Sequence, residues 1–168
     1  CGIPTLMMGD TVEEIARGID SASWRQPLGV FSIITPYNFP VMIPLWFWPY
    51  AVATGHTVVL KPSEQDPPTH QKIVDLATEA GLPPGVLNVV HGGQEAVEAV
   101  CDHPDIVGVS FVGSSRVAEI VYKRAANAGK RVQTLGGAKN YLIVLPDADM
   151  DLTLDACTGS IFGSSGQR

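Results

Sequence analysis

The chain has 168 residues, 45% of them apolar and 17% charged, which suits one domain with a sizeable core and excludes a disordered segment. Eleven Lys and Arg against 17 Asp and Glu give a formal charge of −6, which argues against a broad nucleic-acid face and excludes no small ligand. Cys1, Cys101 and Cys157 are an odd set without paired spacing, so a disulfide framework or a cysteine-rich zinc site is disfavoured and a reducing compartment fits better.

Residues 1–25 show no clear core pattern: Met7 and Met8 are followed by Asp10, Glu13 and Glu14, as in an arm or an edge strand. Residues 30–34 are a short apolar strand. Pro40 suits the first turn of a helix that runs towards Ala53 and stops at Gly55. A second strand is expected over 57–60. Pro67 and Pro68 then introduce a helix through about Ala80, closed by Gly81 and Pro83. A third strand over 86–90 leads through Gly92-Gly93 to a helix ending near Val100. A fourth strand over 106–112 passes through Gly113-Ser114-Ser115 into a helix to about Ala128. Strands over 131–135 and 141–145 and a helix over about 151–162 complete the order.

Strand and helix alternate four times, and the strands are near-continuous apolar runs. Both features imply a mostly parallel sheet covered on both faces, and right-handed crossovers make it a doubly wound, Rossmann-like α/β domain over residues 26–168. The longest apolar stretch, 39–54, is shorter than the ~20 residues needed to span a bilayer, and Pro40, Pro44 and Pro49 interrupt it, so no membrane association is expected. The chain opens on Cys1 and closes on Gly166-Gln167-Arg168 inside a Gly/Ser-rich loop, and we expect it to be an excerpt of a longer chain.

In an open parallel sheet ligands bind beyond the carboxyl ends of the strands. Thr35 and Asn38 follow the first strand of this sheet, and Lys61, Ser63 and Glu64 follow the second, so this edge is the candidate ligand site. Neither G-x-G-x-x-G nor a P-loop is present. Ser114 at a strand-to-helix junction either caps the helix or, with the free N–H groups there, meets a pyrophosphate. Lys61 and Glu64 are either a ribose-binding pair or an ion pair on the surface. Asn38, between Tyr37 and Phe39, is either an oxyanion donor or a turn residue before Pro40. His56, His70, His91 and His103 lack metal-ligand spacing and read as structural or solvated, so no metal is expected. Cys101 and Cys157 have no flanking base and read as small core residues.

Thr35-Pro36-Tyr37-Asn38-Phe39-Pro40, Leu60-Lys61-Pro62-Ser63-Glu64, Ser110-Phe111-Val112-Gly113-Ser114 and Gly136-Gly137-Ala138-Lys139-Asn140, in that order, resemble the aldehyde dehydrogenase superfamily over nearly the whole chain. Cys101-Asp102-His103-Pro104-Asp105-Ile106, Gly137-Ala138-Lys139-Asn140 and Gly166-Gln167-Arg168 are similar to its CoA-acylating methylmalonate-semialdehyde and malonate-semialdehyde branch.

The resemblance implies an NAD-binding domain. Thr35 and Tyr37 would line the cofactor cleft largely through backbone, and Lys61, Glu64 and Gln65 would hold the adenosine ribose. Ser114 would meet the pyrophosphate, Gly136 would pass near the nicotinamide, and Asn38 would be half of an oxyanion hole. In this family the nucleophilic cysteine directly follows Gly-Gln-Arg, and this sequence stops at Arg168, so the nucleophile is absent and the chain alone is expected to be inactive. Arg168 itself would bind a substrate carboxylate bidentately. Hydrolytic members carry a Glu where Leu135 aligns (Thr134 with a one-residue gap). Neither residue can act as a general base, which points to acyl release by CoA instead of water. Ala118 replaces a Gly common in relatives. The implied reaction of the intact enzyme is NAD-dependent oxidation of methylmalonate or malonate semialdehyde to an acyl-CoA with loss of CO2. Glu64 favours NAD over NADP. The family further implies a dimer or tetramer acting on a small aldehyde, cytoplasmic, or mitochondrial in a eukaryote.

Overall fold

A computed structural model describes residues 2–166. The chain divides into two compact units, Cys1–Gly136 and Gly137–Arg168.

The first unit opens with a single helical turn, α1 (Ile3–Leu6), and an antiparallel hairpin of β1 (Thr11–Ala16) and β2 (Ile19–Ala22). Every residue of the hairpin is exposed, which is why this stretch carries no core pattern. The main sheet begins at β3 (Val30–Ile34) and continues with β4 (Thr57–Lys61), β5 (Leu87–Val89), β6 (Ile106–Val112) and β7 (Arg131–Leu135). All four pairings are parallel and the spatial order is β5-β4-β3-β6-β7. The doubly wound arrangement expected from the strand–helix alternation is therefore present.

The segment between β3 and β4 differs from the single helix expected. It forms two short helices, α2 (Met42–Leu45) and α3 (Trp48–Ala53), and Pro40 lies ahead of both. Pro49 is the cause: it brings no N–H for the carbonyl one turn back, and its ring obstructs that carbonyl, so it is tolerated only in the first turn of a new helix. Gly55, at φ +85°, ends the segment as expected. The other crossovers are α4 (Pro67–Glu79), α5 (Gln94–Asp102) and α6 (Ser115–Asn127), each within two residues of its expected limits.

Alternation along the strands divides the core in two. Ile34, Val109 and Phe111 pack with Val100 and Cys101 of α5 and Val121 and Ala125 of α6. Ile33, Val58, Leu60 and Leu87 face the other way, against Trp48, Ala51 and Val52 of α3 and Val74 and Ala77 of α4. Cys101 is fully buried, and burial pushes its thiol pKa up, as suits a packing residue.

Where β3 and β6 run side by side, Phe31 is paired with Gly108 and its ring covers the glycine. A Cβ at position 108 would lie 2.3 Å from Cε1 of Phe31. The ring is held in turn against His56, with centroids 4.7 Å apart. His56 Nδ1 accepts from the backbone N–H of Leu28 at 3.1 Å and of Gly29 at 3.4 Å, which ties the approach to β3 to the start of β4.

Among its described residues the second unit holds one α-helix, α7 (Met150–Phe162), capped by Asp149 Oδ1 accepting from Leu152 N at 3.1 Å, and a short 3-10 turn over Gly163–Gly166. The strand expected over 141–145 is not formed. The run has strand-like composition, but a strand needs a neighbour to complete its ladder, and among the described residues none pairs with it. The run ends at a turn over 145–148, where Ala148 donates its N–H to Leu145 O at 3.2 Å, and Asp149 then opens the helix.

Two outcomes follow from the first unit. Gly108→Ala forces the Phe31 ring off its site and destabilises the protein by about 1–3 kcal/mol, the usual cost of overpacking, read as a lowered denaturant midpoint. Burial lowers the pKa of both His56 and His70, so below the ordinary imidazole value of about 6.5 the unfolded chain binds protons that the folded chain resists. Stability is thus held above about pH 6.5 and lost as pH falls from there towards the folded-state values. The drop in unfolding midpoint from about pH 7.5 to about pH 5.5 shrinks in His70→Gln, and an unchanged drop would contradict this account.

Candidate functional site

β4 and β5 are added on one side of β3, β6 and β7 on the other, so chain direction across the sheet reverses between β3 and β6. A crevice opens beyond the carboxyl ends at such a reversal. Here it is a cleft of about 490 Å3. The sheet contributes Ile34, Lys61 and Phe111, the segment after β3 contributes Thr35 and Pro36, the loop after β4 contributes Ser63 and Glu64, and α5 and α6 form the walls.

Lys61 is the last residue of β4. Leu60 faces α4, so alternation turns Lys61 towards α5, into the cleft. The residue is 3% exposed, and its Nζ lies 3.3 Å from Glu64 Oε2, its one hydrogen-bond partner among the described residues. Glu64 is two-thirds exposed, and its carboxyl pKa is lowered by its own backbone N–H and then by Lys61. An ammonium group has three donors. A buried cation whose one partner reaches out to solvent is costly to keep and is prepared for further acceptors in the cleft.

Thr35 continues the β3 ladder by donating its N–H to Lys61 O at 3.1 Å. Its hydroxyl lies 3.1 Å from His70 Nε2. The α5 and α6 walls are clamped together by Arg124, which is bidentate to Asp102 at 2.8 and 2.6 Å and also 2.9 Å from Glu98. That pairing raises the Arg124 pKa and lowers those of Asp102 and Glu98, although in Glu98 the hydrogen bond from Gln94 is the larger cause.

At the far end of the edge, Ser114 caps α6, its Oγ accepting from Val117 N at 3.4 Å. The capping alternative is thus realised, and a hydroxyl that accepts still has its own proton to donate. Leu135 ends β7 partly exposed, and its carbonyl accepts from Gly113 N at 3.1 Å. Gly136 passes so close to the start of α6 that a Cβ there would lie 2.9 Å from Ser115 Cα.

Two groups of sequence-predicted residues are thereby assembled. Thr35, Lys61, Ser63 and Glu64 share the cleft, and Gly136 packs against Ser115, the residue after Ser114, at the β6–α6 corner. Tyr37, Asn38 and Gln65 are exposed and do not line the cleft. Tyr37 and Asn38 lie in the bend before α2, and Gln65 donates its N–H to Ser63 Oγ at 3.3 Å. Arg168 lies outside the described residues. His70, read from the sequence as structural or solvated, is fully buried against Thr35. Its signal was its place on α4, in helical register with the buried-face residues Val74 and Ala77.

A strand order that reverses at β3 and a cleft at that reversal define a doubly wound α/β domain of the kind that holds ligands beyond the carboxyl ends of its strands. The chain belongs to the aldehyde dehydrogenase family, whose sequence model matches residues 1–168. It is 56% identical over 167 residues to malonate-semialdehyde dehydrogenase 2 of Geobacillus thermodenitrificans, covering 99% of this chain and 35% of that protein. The crystal structure of methylmalonate-semialdehyde dehydrogenase (DddC) from Oceanimonas doudoroffii superposes with a TM-score of 0.94 at 52% identity, over 100% of this chain and 34% of that one. A Sinorhizobium meliloti protein described as a methylmalonate-semialdehyde dehydrogenase, complexed with NAD, gives a TM-score of 0.94 at 50% identity, over 99% of this chain and 34% of that one. The chain thus spans about a third of the length of the relatives it matches.

Lys61→Met keeps the side-chain volume and removes the buried charge. We expect it to leave the melting temperature unchanged or to raise it, as when buried ions give way to apolar groups, while Glu64 titrates nearer the ordinary carboxylate range by NMR. A marked loss of stability would make Lys61 a structural residue instead.

Proposed function

We propose that the intact enzyme oxidises malonate or methylmalonate semialdehyde to acetyl-CoA or propanoyl-CoA with release of CO2, using NAD+ and CoA. The family, and the two dehydrogenases that share 52–56% identity with this chain, support the substrate class. Leu135 carries the acylating half of the reading: where hydrolytic relatives hold the Glu that activates water, this chain ends β7 on a side chain that cannot take a proton.

The residues present fit NAD. The cleft lies within the ~300–1,000 Å3 usual for ligand pockets, and Lys61 has donors to spare in it. Lys61 and Glu64 would take the two ribose hydroxyls as donor and acceptor, with Gln65 beside them, and Glu64 would disfavour a 2′-phosphate. Thr35 would line the cofactor cleft largely through backbone, and Tyr37, outside the cleft in this structure, would extend that lining beyond Pro36. Ser114 and the first N–H groups of α6 would meet the pyrophosphate, and Gly136 would pass beside the nicotinamide. When bound, NAD+ supplies the hydride acceptor.

The nucleophile would be a cysteine following Arg168, with Asn38 donating to the oxyanion that forms as it attacks the aldehyde. Arg168 would hold the substrate carboxylate. Residues 26–168 form part of the nucleotide-binding domain in this reading, and 1–25 an arm. No helix among the described residues is long and apolar enough to cross a membrane. We take the intact enzyme to be a cytoplasmic dimer or tetramer.

Product analysis of the full-length enzyme tests the reading. With malonate semialdehyde and NAD+, acetyl-CoA should accumulate when CoA is supplied and turnover should collapse without it. Free acid formed equally fast without CoA would assign the enzyme to the hydrolytic members, and a residue other than Cys after Arg168 would remove the catalytic mechanism altogether.

A further inference from the structure

His70 lies on the fourth residue of α4, completely buried, with polar contacts on both ring nitrogens. Nδ1 is 3.1 Å from the carbonyl oxygen of Asp66. A carbonyl can only accept, so Nδ1 carries the ring proton, and a neutral ring then leaves Nε2 bare. Burial, which lowers the His70 pKa, keeps the ring neutral. The Thr35 hydroxyl, 3.1 Å from Nε2, must therefore donate to it.

Thr35 is thus held at two points, its N–H by Lys61 O and its hydroxyl by His70. The Asp66 carboxylate accepts from Thr69 Oγ1 at 2.9 and 3.0 Å, which fixes the residue whose carbonyl orients the ring. One continuous path of hydrogen bonds runs from the start of α4 through the imidazole to the end of β3. It spans the loop 62–66, which carries Ser63, Glu64 and Gln65. If His70 were core filler, a leucine would serve better, because burying an imidazole requires both nitrogens to be matched.

We propose that His70 is a positioning residue for the cofactor cleft: through Nε2 it locks the Thr35 corner at the end of β3 against α4, so that this corner and the Lys61–Glu64 loop stand at a set separation. The inference rests on the reading of the cleft as the NAD site.

The test measures NAD+ dissociation constants for the full-length enzyme carrying His70→Leu, Thr35→Val, both together, His70→Gln and Lys61→Met. His70→Leu and Thr35→Val should each weaken NAD+ by about 3- to 10-fold, the worth of one neutral hydrogen bond. The double variant should bind no worse than either single one, because both remove the same contact. His70→Gln, which restores an acceptor in reach of the Thr35 hydroxyl, should recover most of the affinity. Thr35→Val is near-isosteric and keeps the question open to measurement if His70→Leu fails to fold. Losses that add in the double variant, a loss in His70→Leu without one in Thr35→Val, or no recovery in His70→Gln would each overturn the role. Unchanged affinity in Lys61→Met as well as in Thr35→Val would remove the cofactor reading beneath it. Weakened binding in Lys61→Met with unchanged binding in His70→Leu would remove the positioning role alone.

Discussion

β3 is hydrogen-bonded on both edges and buried on both faces, and the chain reverses its direction of travel about it. Ser32, Ile33 and Ile34 have almost no exposure, so β3 is held from both edges and both faces. Two things depend on it. The reversal of strand order opens the cleft at its carboxyl end, and its parallel register with β4 sets Thr35 beside Lys61. The site residues are far apart in sequence, but Thr35, Lys61, Ser63, Ser114 and Gly136 each lie within two residues of a strand end, so the ladder hydrogen bonds of the sheet set their positions.

Around this frame, charge is used sparingly and at the rim. Arg124 with Asp102 and Glu98 is a half-exposed network, and its worth is modest pair by pair. Its geometry is more important, because it fixes the separation of α5 and α6 and hence the width of the cleft. Lys61 is the opposite case. Its side chain is buried with one hydrogen-bond partner among the described residues, so its ammonium gains from a ligand rich in oxygen acceptors, while its carbonyl belongs to the β3–β4 ladder.

The sheet was legible in the sequence because parallel strands covered on both faces are written as near-continuous apolar runs between Gly and Pro stops, and 57–60 and 106–112 are clear instances. The misreadings share a cause. The run 141–145 has strand composition without a partner to pair with, and 40–53 has helical composition interrupted by Pro49, so in both places local preference was overruled by hydrogen-bond accounting. Of the site, Lys61 and Glu64 were visible because a polar pair directly after an apolar strand is conspicuous. His70 was not, because its partner Thr35 lies 35 residues away and only the fold shows that α4 packs beside the end of β3.

The shared rung between Thr35 N and Lys61 O also limits how such a chain can change length. Extra residues between β3 and β4 can be absorbed at the breaks around α2 and α3, where the backbone is already irregular. A single residue inserted within 57–61 would instead exchange the two faces of the strand end, sending the ammonium into the apolar layer under α4 and a leucine into the cleft. Length variation should therefore be tolerated in the crossovers and barred from the last few residues of the strands, so that a strand of five residues constrains insertion more tightly than the twenty-odd residues that precede it.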